Sequence, residues 1–275
     1  MNNPASGRWA LWLSFPLALL VAVESLVGIL LPSVYASENR LYAGGAVAAD
    51  IINLFVVVPA LAVTAILALR GWLGARLVWT STVLYVVYAF IYYTLDVRFN
   101  ALFWLYCAVQ GLSFYLLAGT WPGLPVEEIA RRYRTRAPVI ATAVLFLLIV
   151  AGAGMHWVQE TVPLMLAGSM PRDVREGGHI TDVPAVLDIA FLLPALTIGA
   201  ILLLRRRPVA FALGPVLLAF DVFVGLLLVA ISGMMAVRGF GANAGGFIIS
   251  GTITGASAIL LALFLRKPKS TPAPA

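Results

Sequence analysis

The sequence VAFALGPVLLAFDVFVGLLLVAISGMM occupies residues 209–235 and carries one charged side chain, that of Asp221. A helix needs about 20 predominantly apolar residues to cross the ~30 Å hydrocarbon core of a bilayer. This segment exceeds that length, and it lacks the alternation of apolar and polar residues that is typical of a barrel strand. It therefore predicts a transmembrane α-helix.

Seven more segments follow the same pattern. The eight predicted spans lie at residues 9–31, 45–69, 77–95, 101–119, 138–159, 185–204, 209–235 and 247–265. Of the 275 residues, 62% are hydrophobic and only 11% are charged, whereas an average soluble domain is about 25% charged. Only helices and closed barrels satisfy their backbone groups in lipid. The predicted fold is therefore an all-α, polytopic transmembrane helical bundle, a single integral membrane domain over residues 1–275.

The basic residues predict the orientation of this bundle. Placing both termini in the cytoplasm puts 13 of the 18 Lys and Arg residues in inner segments and 5 in outer loops. Such an excess is typical of cytoplasmic loops, so we expect a multi-pass protein of the cell membrane with both termini cytoplasmic. The net charge of +6 is spread over short loops, which predicts membrane lipid rather than nucleic acid as a partner and leaves the oligomeric state open.

Two segments have alternative interpretations. The first span precedes Val34-Tyr35-Ala36, which resembles a signal-peptide cleavage site, but its apolar run is longer than a usual signal sequence. A retained helix is favoured. The inner segment with Glu127, Glu128 and the basic residues 131–136 is interpreted as a solvated loop, the alternative being a short helix on the lipid headgroups.

An internal repeat is indicated by two prolines. Residues 59–70, PALAVTAILALR, match residues 194–205, PALTIGAILLLR, without a gap at an offset of 135 residues. Four spans separate the copies, so they would run in the same direction. We interpret this as a tandem parallel four-helix repeat with halves 9–119 and 138–265, the alternative being a chance match in apolar sequence.

Four carboxylates, those of Glu24, Asp50, Asp188 and Asp221, fall within the predicted spans, which contain no Lys or Arg. An unpaired ionised carboxylate in lipid is costly, so each must face a cavity, accept several hydrogen bonds or hold a proton. Glu24, Asp50 and Asp188 lie at similar depths toward the outer side, so we expect them to line one pocket there. Asp221, near the midplane, is interpreted as a protonated structural acid.

Other polar residues at that level complete the predicted pocket. They are Asn53, Tyr88, Tyr92, Asn100 and Glu160. Tyr85, Tyr88 and Tyr92 share one helix face, and the alternative for these is an aromatic packing stripe with an interfacial belt. For Asp50 and Asp188 the alternative is a capping or bracing role at a helix end.

The sequence contains no strong signal for catalysis or a cofactor. His156 and Glu160 stand four residues apart, and His179 and Asp182 follow, but two histidines without tight spacing are a weak zinc signal. No phosphate loop, nucleophile elbow, haem-attachment motif or dinucleotide fingerprint is present. We therefore predict no catalytic residues, no metal and no cofactor, and lean away from an enzyme.

Three stretches resemble a family of functionally uncharacterised bacterial multi-pass membrane proteins. These are residues 50–59, the tyrosine-rich helix leading into residues 99–106, and residues 160–188. The resemblance implies that Asp50, Tyr88, Asn100, Glu160 and Asp188 occupy recurring polar positions, and it implies no activity. The chain has Pro184-Ala185 where the family often has a Val-His pair, and His156 is not part of the family's pattern.

The leading hypothesis is a transporter or binding protein whose outward-facing acidic pocket receives a cationic or proton-coupled small solute, because carboxylates without basic partners favour a positive guest. One alternative is a membrane-embedded enzyme that acts on a lipid or quinone at the outer leaflet, with a carboxylate as general base. Another is a non-catalytic sensor or assembly subunit.

Overall fold

The computed structural model describes residues 8–135, 137–240 and 244–266. Within those ranges it has ten helices, some extended by short 3-10 turns, and no strands. The helices are α1 Arg8–Leu30, α2 Arg40–Leu69, α3 Leu73–Leu95, α4 Phe103–Thr120, α5 Val126–Tyr133, α6 Val139–Leu166, α7 Arg172–Gly177, α8 Val183–Leu204, α9 Ala210–Val237 and α10 Ala244–Phe264.

Eight of these helices, all except α5 and α7, are long and apolar enough to cross a membrane. The prediction of an all-α bundle of eight spans is confirmed. Helix α1 begins, and helices α2 and α8 end, at one end of the bundle. We call this end the arginine face, because Arg70, Arg134 and Arg205 lie there. The other end is the opposite face. Arg136, Lys267 and Lys269, which belong to the predicted inner segments, lie outside the described residues.

The structure departs most from the sequence prediction in three places. Helix α2 begins at Arg40 rather than residue 45, where Asn39 caps it by accepting a 2.8 Å hydrogen bond from the Tyr42 N–H. Helix α6 continues to Leu166, past Glu160, because an exposed carboxylate near water need not end a helix. The segment predicted to be a solvated loop is instead the helix α5, which buries Ile129 and Tyr133.

Helices α2 and α8 each contain one π-helical turn, at Asn53–Val57 and at Asp188–Leu192. Each turn ends just before Val58-Pro59 or Leu193-Pro194. Proline has no N–H to donate, and its ring collides with the carbonyl four residues earlier in a regular helix, so a wider turn relieves the collision. The two turns are offset by 135 residues, as are the matching sequences.

The packing of the first four spans recurs in the last four. In the first set α1 packs on α2, α2 on α3, α3 on α4 and α4 on α1. In the second set the corresponding pairs are α6 with α8, α8 with α9, α9 with α10 and α10 with α6. The matched π turns and matched neighbours support the interpretation of a tandem repeat.

The two sets meet mainly through α3 and α9, with α2 also packing on α9. These central helices are the most enclosed of the eight spans. Polar side chains buried on α3 and α9 are consequently shielded from lipid as well as from water, and α3 contributes one of them to the candidate site on α1 and α2.

Candidate functional site

The candidate site centres on two carboxyl groups, Glu24 on α1 and Asp50 on α2, which are both 0% exposed. They lie within hydrogen-bonding range of each other. Gly28, one turn after Glu24, makes this approach possible, since a Cβ at that position would overlap Asp50 Oδ2 and lie 2.8 Å from the Tyr35 hydroxyl. The pair is enclosed by protein, whereas the sequence predicted an open, outward-facing pocket.

Tyrosine hydroxyls hold the Asp50 carboxyl from two sides. Tyr35, in the turn between α1 and α2, donates to Oδ2 at 2.9 Å, and Tyr93 on α3 donates to Oδ1 at 2.7 Å. The ring of Tyr106 on α4 packs against Tyr93 with centroids 5.2 Å apart. Asn100 donates to the Tyr106 hydroxyl at 3.3 Å. Helices α1, α3 and α4 and two loops therefore surround the Asp50 carboxyl, either directly or through Tyr93.

The Glu24 carboxyl is less completely satisfied. Its Oε2 accepts a 3.0 Å hydrogen bond from the Ser25 hydroxyl, while Oε1 is buried without a hydrogen-bond partner among the described residues. Neither Glu24 nor Asp50 forms an ion pair in the described part of the chain. Two ionised carboxylates in contact at zero exposure would be strongly unfavourable. The arrangement is suited to hold one proton, or one small cation, between the two groups.

Asp188 has a separate set of partners. Tyr88 on α3 donates to its Oδ1 at 2.7 Å, and the indole N–H of Trp157 on α6 donates to its Oδ2 at 3.0 Å. Asp188 opens the π turn of α8, and it is half-buried. Both donors are neutral, so this carboxylate is satisfied by hydrogen bonds without a basic partner.

Glu160 lies apart from both sites. Its carboxylate is 3.3 Å from His156 Nε2, and the two side chains are 36% and 63% exposed. The partners of Asp50, Asp188 and Glu160 have no residue in common, so the structure does not join these acids in the one pocket that the sequence predicted. Instead it unites Glu24 with Asp50 and divides the others between a half-buried site and the surface.

The remaining predicted residues also divide. Asn53, 1% exposed, lies one turn after Asp50 with its amide nitrogen unpartnered among the described residues. Asn100 belongs to the Asp50 site through Tyr106. Tyr92 lies near a group of acids on the opposite face that includes Asp96 and Glu38.

That group forms a buried cap over the opposite face. His179 Nδ1 is 2.8 Å from Asp96 Oδ1 and its Nε2 is 3.8 Å from Glu38 Oε2, with each of the three side chains at most 6% exposed. The His179 ring also stacks on Tyr42 at 4.2 Å. Burial raises the pKa of Asp96, while the contact with His179 opposes that rise. The cap therefore ties loops from both halves of the chain together.

Two further contacts strengthen the cap. The backbone N–H of Arg98 donates to Glu38 Oε1 at 2.6 Å, and the Arg98 guanidinium donates to the Gly177 carbonyl. Glu38 follows Tyr35 in the same loop, so the cap and the Asp50 site share one short segment of chain. Movement of that loop would act on both.

Sequence reasoning missed several of these residues. Tyr35 and Gly28 were not predicted because a loop and a helix glycine carry no periodic signal. Tyr93 lies next to Tyr92 on a tyrosine-rich helix and is not distinguished there by the sequence, and Tyr106 enters only within the family resemblance. Glu38, Asp96 and His179 are far apart in sequence and become neighbours only when three loops fold together.

The structure gives no metal centre in residues 8–135, 137–240 and 244–266, since no three His, Cys, Asp or Glu side chains there are arranged to hold an ion. His156 pairs with Glu160, whereas His179 pairs with Asp96. Asp182 caps α8 by accepting a 3.0 Å hydrogen bond from the Ala185 N–H. The four residues considered as zinc ligands are thus distributed over different contacts.

Comparison with known proteins supplies no assignment: no protein-family model matches this sequence, and no curated protein and no solved structure matches it. The similarity to uncharacterised bacterial membrane proteins accordingly remains a resemblance.

Proposed function

We propose that this protein binds a proton, or a small monovalent cation in its place, between Glu24 and Asp50 and couples that binding to transport of a small solute. The observation that carries the proposal is the burial of two adjacent carboxyl groups at zero exposure with no basic partner in the described chain. Ionisable residues placed in this way inside membrane proteins mark proton or ion pathways.

Polar groups continue from this pair toward the middle of the bundle, which supports a path rather than an isolated site. Asn53 lies one turn below Asp50, and the fully buried Tyr85 is within electrostatic reach of Asp50. The Tyr85 ring contacts Phe220 and Phe223, which flank Asp221. The Tyr85 hydroxyl and Asp221 Oδ2 are both buried and unpartnered among the described residues. Such groups are suited to relay a proton through internal water.

The cap explains why the pair has no access to solvent in this conformation. Tyr35 covers Asp50 from the loop that also carries Glu38, and Glu38 is held by Arg98 and His179. We assign the structure to an occluded state. Release of the cap would open the pair toward the opposite face, which we infer to be the external side because basic residues are in excess on the arginine face. The proposed location is accordingly the cell membrane, with both termini cytoplasmic.

The experiment compares the protein with Glu24→Gln and Asp50→Asn variants in proteoliposomes that contain a pH-sensitive dye. We expect the wild type to dissipate or respond to an imposed proton or Na⁺ gradient and each variant to lose that response. Thermal stability measured in Na⁺, Li⁺, K⁺ and choline at constant ionic strength should show a cation or pH dependence that the same variants lack.

Asp188→Asn is the matched control, because Asp188 also accepts hydrogen bonds from neutral donors but lies outside the pair. It should keep the gradient response. Equal behaviour of the wild type, the two variants and the control would rule out the Glu24–Asp50 site as the coupling site.

A membrane enzyme is the second candidate, favoured by an apolar groove of about 410 Å³ between α6 and α8 on the opposite face. Leu164, Met165 and Ile189 line it and could accommodate a lipid chain. The carboxylate in its lining, Asp182, already caps α8, which leaves it poorly placed as a general base. Incubation with outer-leaflet lipids and mass spectrometry of the products would test this candidate, and unchanged lipids would exclude it for those substrates.

A further inference from the structure

Four arginines surround one basin on the arginine face. Arg134 follows α5, and Arg205, Arg206 and Arg207 form the turn between α8 and α9. Together with Pro208 they line an open cavity of about 550 Å³. Within the described part of the chain, none of these four side chains has a hydrogen bond or an ion pair, so their charge is available to a guest.

The backbone of this turn gives a second reason to see a built site. Arg206 has φ +50°, in the left-handed region that a residue with a side chain adopts at a cost. The turn is closed by hydrogen bonds from Arg206 N–H to the Leu203 carbonyl at 2.9 Å and from Arg207 N–H to the Leu202 carbonyl at 3.1 Å. Helices commonly end in such a turn with glycine at the left-handed position.

The first half of the chain shows that glycine in the matching place. Gly71 lies 135 residues before Arg206, has φ +84° and closes the end of α2 with the same two hydrogen bonds, from Gly71 to Ala68 and from Trp72 to Leu67. The second half therefore has the same turn, but it has an arginine at the position where glycine would adopt the left-handed conformation without strain. Cations interact favourably with the C-terminus of a helix. That interaction does not explain why Arg206 adopts a left-handed backbone conformation, nor why Arg134 lines the same basin.

We propose that this basin binds the phosphate group of an anionic phospholipid in the leaflet that meets the arginine face. Guanidinium groups match phosphate oxygens in charge and in their forked geometry. Basic pockets between membrane helices on the cytoplasmic side are known to receive lipid headgroups. The basin lies where α8 ends and α9 begins, and both of these helices are long and apolar enough to cross a membrane.

Helix α5 fixes the position of one of the four arginines. It carries Glu127 and Glu128 in its first turn and buries Ile129 and Tyr133, and it packs against α9. Because its apolar face packs on the bundle, this short helix holds Arg134 at the rim of the basin. A guest reaching the basin from the bilayer would therefore meet Arg134 and the α8 turn together.

The proposal is tested by reconstituting the full chain in nanodiscs of phosphatidylcholine, with or without phosphatidylglycerol, and measuring Tm and lipid retention by native mass spectrometry. We expect phosphatidylglycerol to raise Tm and to be retained. Arg206→Gly is the informative variant, because it restores the relaxed residue and should fold at least as well in phosphatidylcholine. It should nevertheless bind phosphatidylglycerol roughly fivefold more weakly than the wild type does. The double variant Arg206→Gly, Arg207→Gln should bind this lipid more weakly again by a similar factor.

Arg70→Gln is the matched control, since Arg70 ends α2 as Arg205 ends α8 but does not line the basin. It should retain the full effect of phosphatidylglycerol. The proposal is overturned if the two lipid compositions give the same Tm, or if Arg70→Gln loses as much as Arg206→Gly. It is also overturned if inorganic phosphate added to phosphatidylcholine discs reproduces the stabilisation, because the guest would then be a soluble anion.

Discussion

Gly28 is the residue whose size most directly controls the candidate site. Its α-carbon faces Asp50 so closely that one added methyl group would displace the carboxyl and the Tyr35 hydroxyl that binds it. Neither the carboxyl nor the tyrosine can move into free space, since Asp50 is 0% exposed and Tyr35 is 2% exposed.

We therefore expect Gly28→Ala to destabilise the protein by about 1–3 kcal/mol, the usual range for overpacking, and to abolish its cation or pH dependence. Thermal unfolding in detergent with and without Na⁺ would measure both effects. Gly45→Ala is the control, because nothing lies within 4 Å of a Cβ there and alanine favours a helix by about 1 kcal/mol. A Gly28→Ala protein as stable and as cation-dependent as the wild type would show that Asp50 is not held as tightly as described.

At the scale of elements, the cap joins three loops of different parts of the chain. Asp96 follows α3, Glu38 precedes α2 and His179 follows α7. The charged and titratable groups around Asp96 are His179, Glu38 and Asp182, with Tyr92 beside them. Burial raises the pKa of Asp96, the His179 contact opposes the rise, and the two neighbouring acids add to it.

This predicts a pH dependence with a definite sign. A group whose pKa is higher in the folded protein binds its proton more tightly there than in the unfolded chain. The resulting stability is complete below the unfolded pKa of about 3.9 and is lost as pH rises through the higher folded pKa. As the pH rises from the unfolded pKa to the folded pKa, the Tm of the Asp96→Asn variant should fall less than the Tm of the wild type. Glu176→Gln changes an exposed acid and should follow the wild type, and identical curves for all three proteins would contradict the role of Asp96.

At the scale of the whole molecule, eight spans between residues 8 and 266 predict that both ends of this range lie on one side of the membrane, and the arginine content predicts that this side is the cytoplasm. A fluorescent protein fused after Lys269, beyond the described residues, should be active, whereas alkaline phosphatase fused there should be inactive. The opposite pattern would mean that the Glu24–Asp50 pair opens toward the cytoplasm and that the arginine basin lies on the external side. Phosphatase fused within the cap loop at residues 36–39 should be active and serves as the internal control.

The repeat also belongs to this scale. The π turns of α2 and α8, the prolines after them, and the turns at Gly71 and Arg206 coincide at one offset. We expect the halves to superpose by rotation about an axis near the membrane normal. The two halves depart from symmetry at particular positions: Asn53 stands where the second half has Asp188, and Gly71 stands where it has Arg206.

The sequence by itself determined the eight spans and the bundle, because a bilayer forces every spanning helix to satisfy its own backbone and to present apolar residues over a defined length. That requirement is local and can be read from composition. It also exposed Glu24 and Asp50 as anomalous, since an acid within an apolar run needs a partner wherever it lies.

Only the tertiary structure decided which acids meet. Depth along a helix follows from residue number, but contact also depends on how each helix is rotated about its axis and which helix it packs against. Asp50 and Asp188 lie at similar predicted depths, yet one binds Tyr35 and Tyr93 while the other binds Tyr88 and Trp157. Tyr35 comes from a loop and Gly28 acts by lacking a side chain, so neither leaves a pattern in the sequence, and the enclosed pair emerges only when the helices are packed.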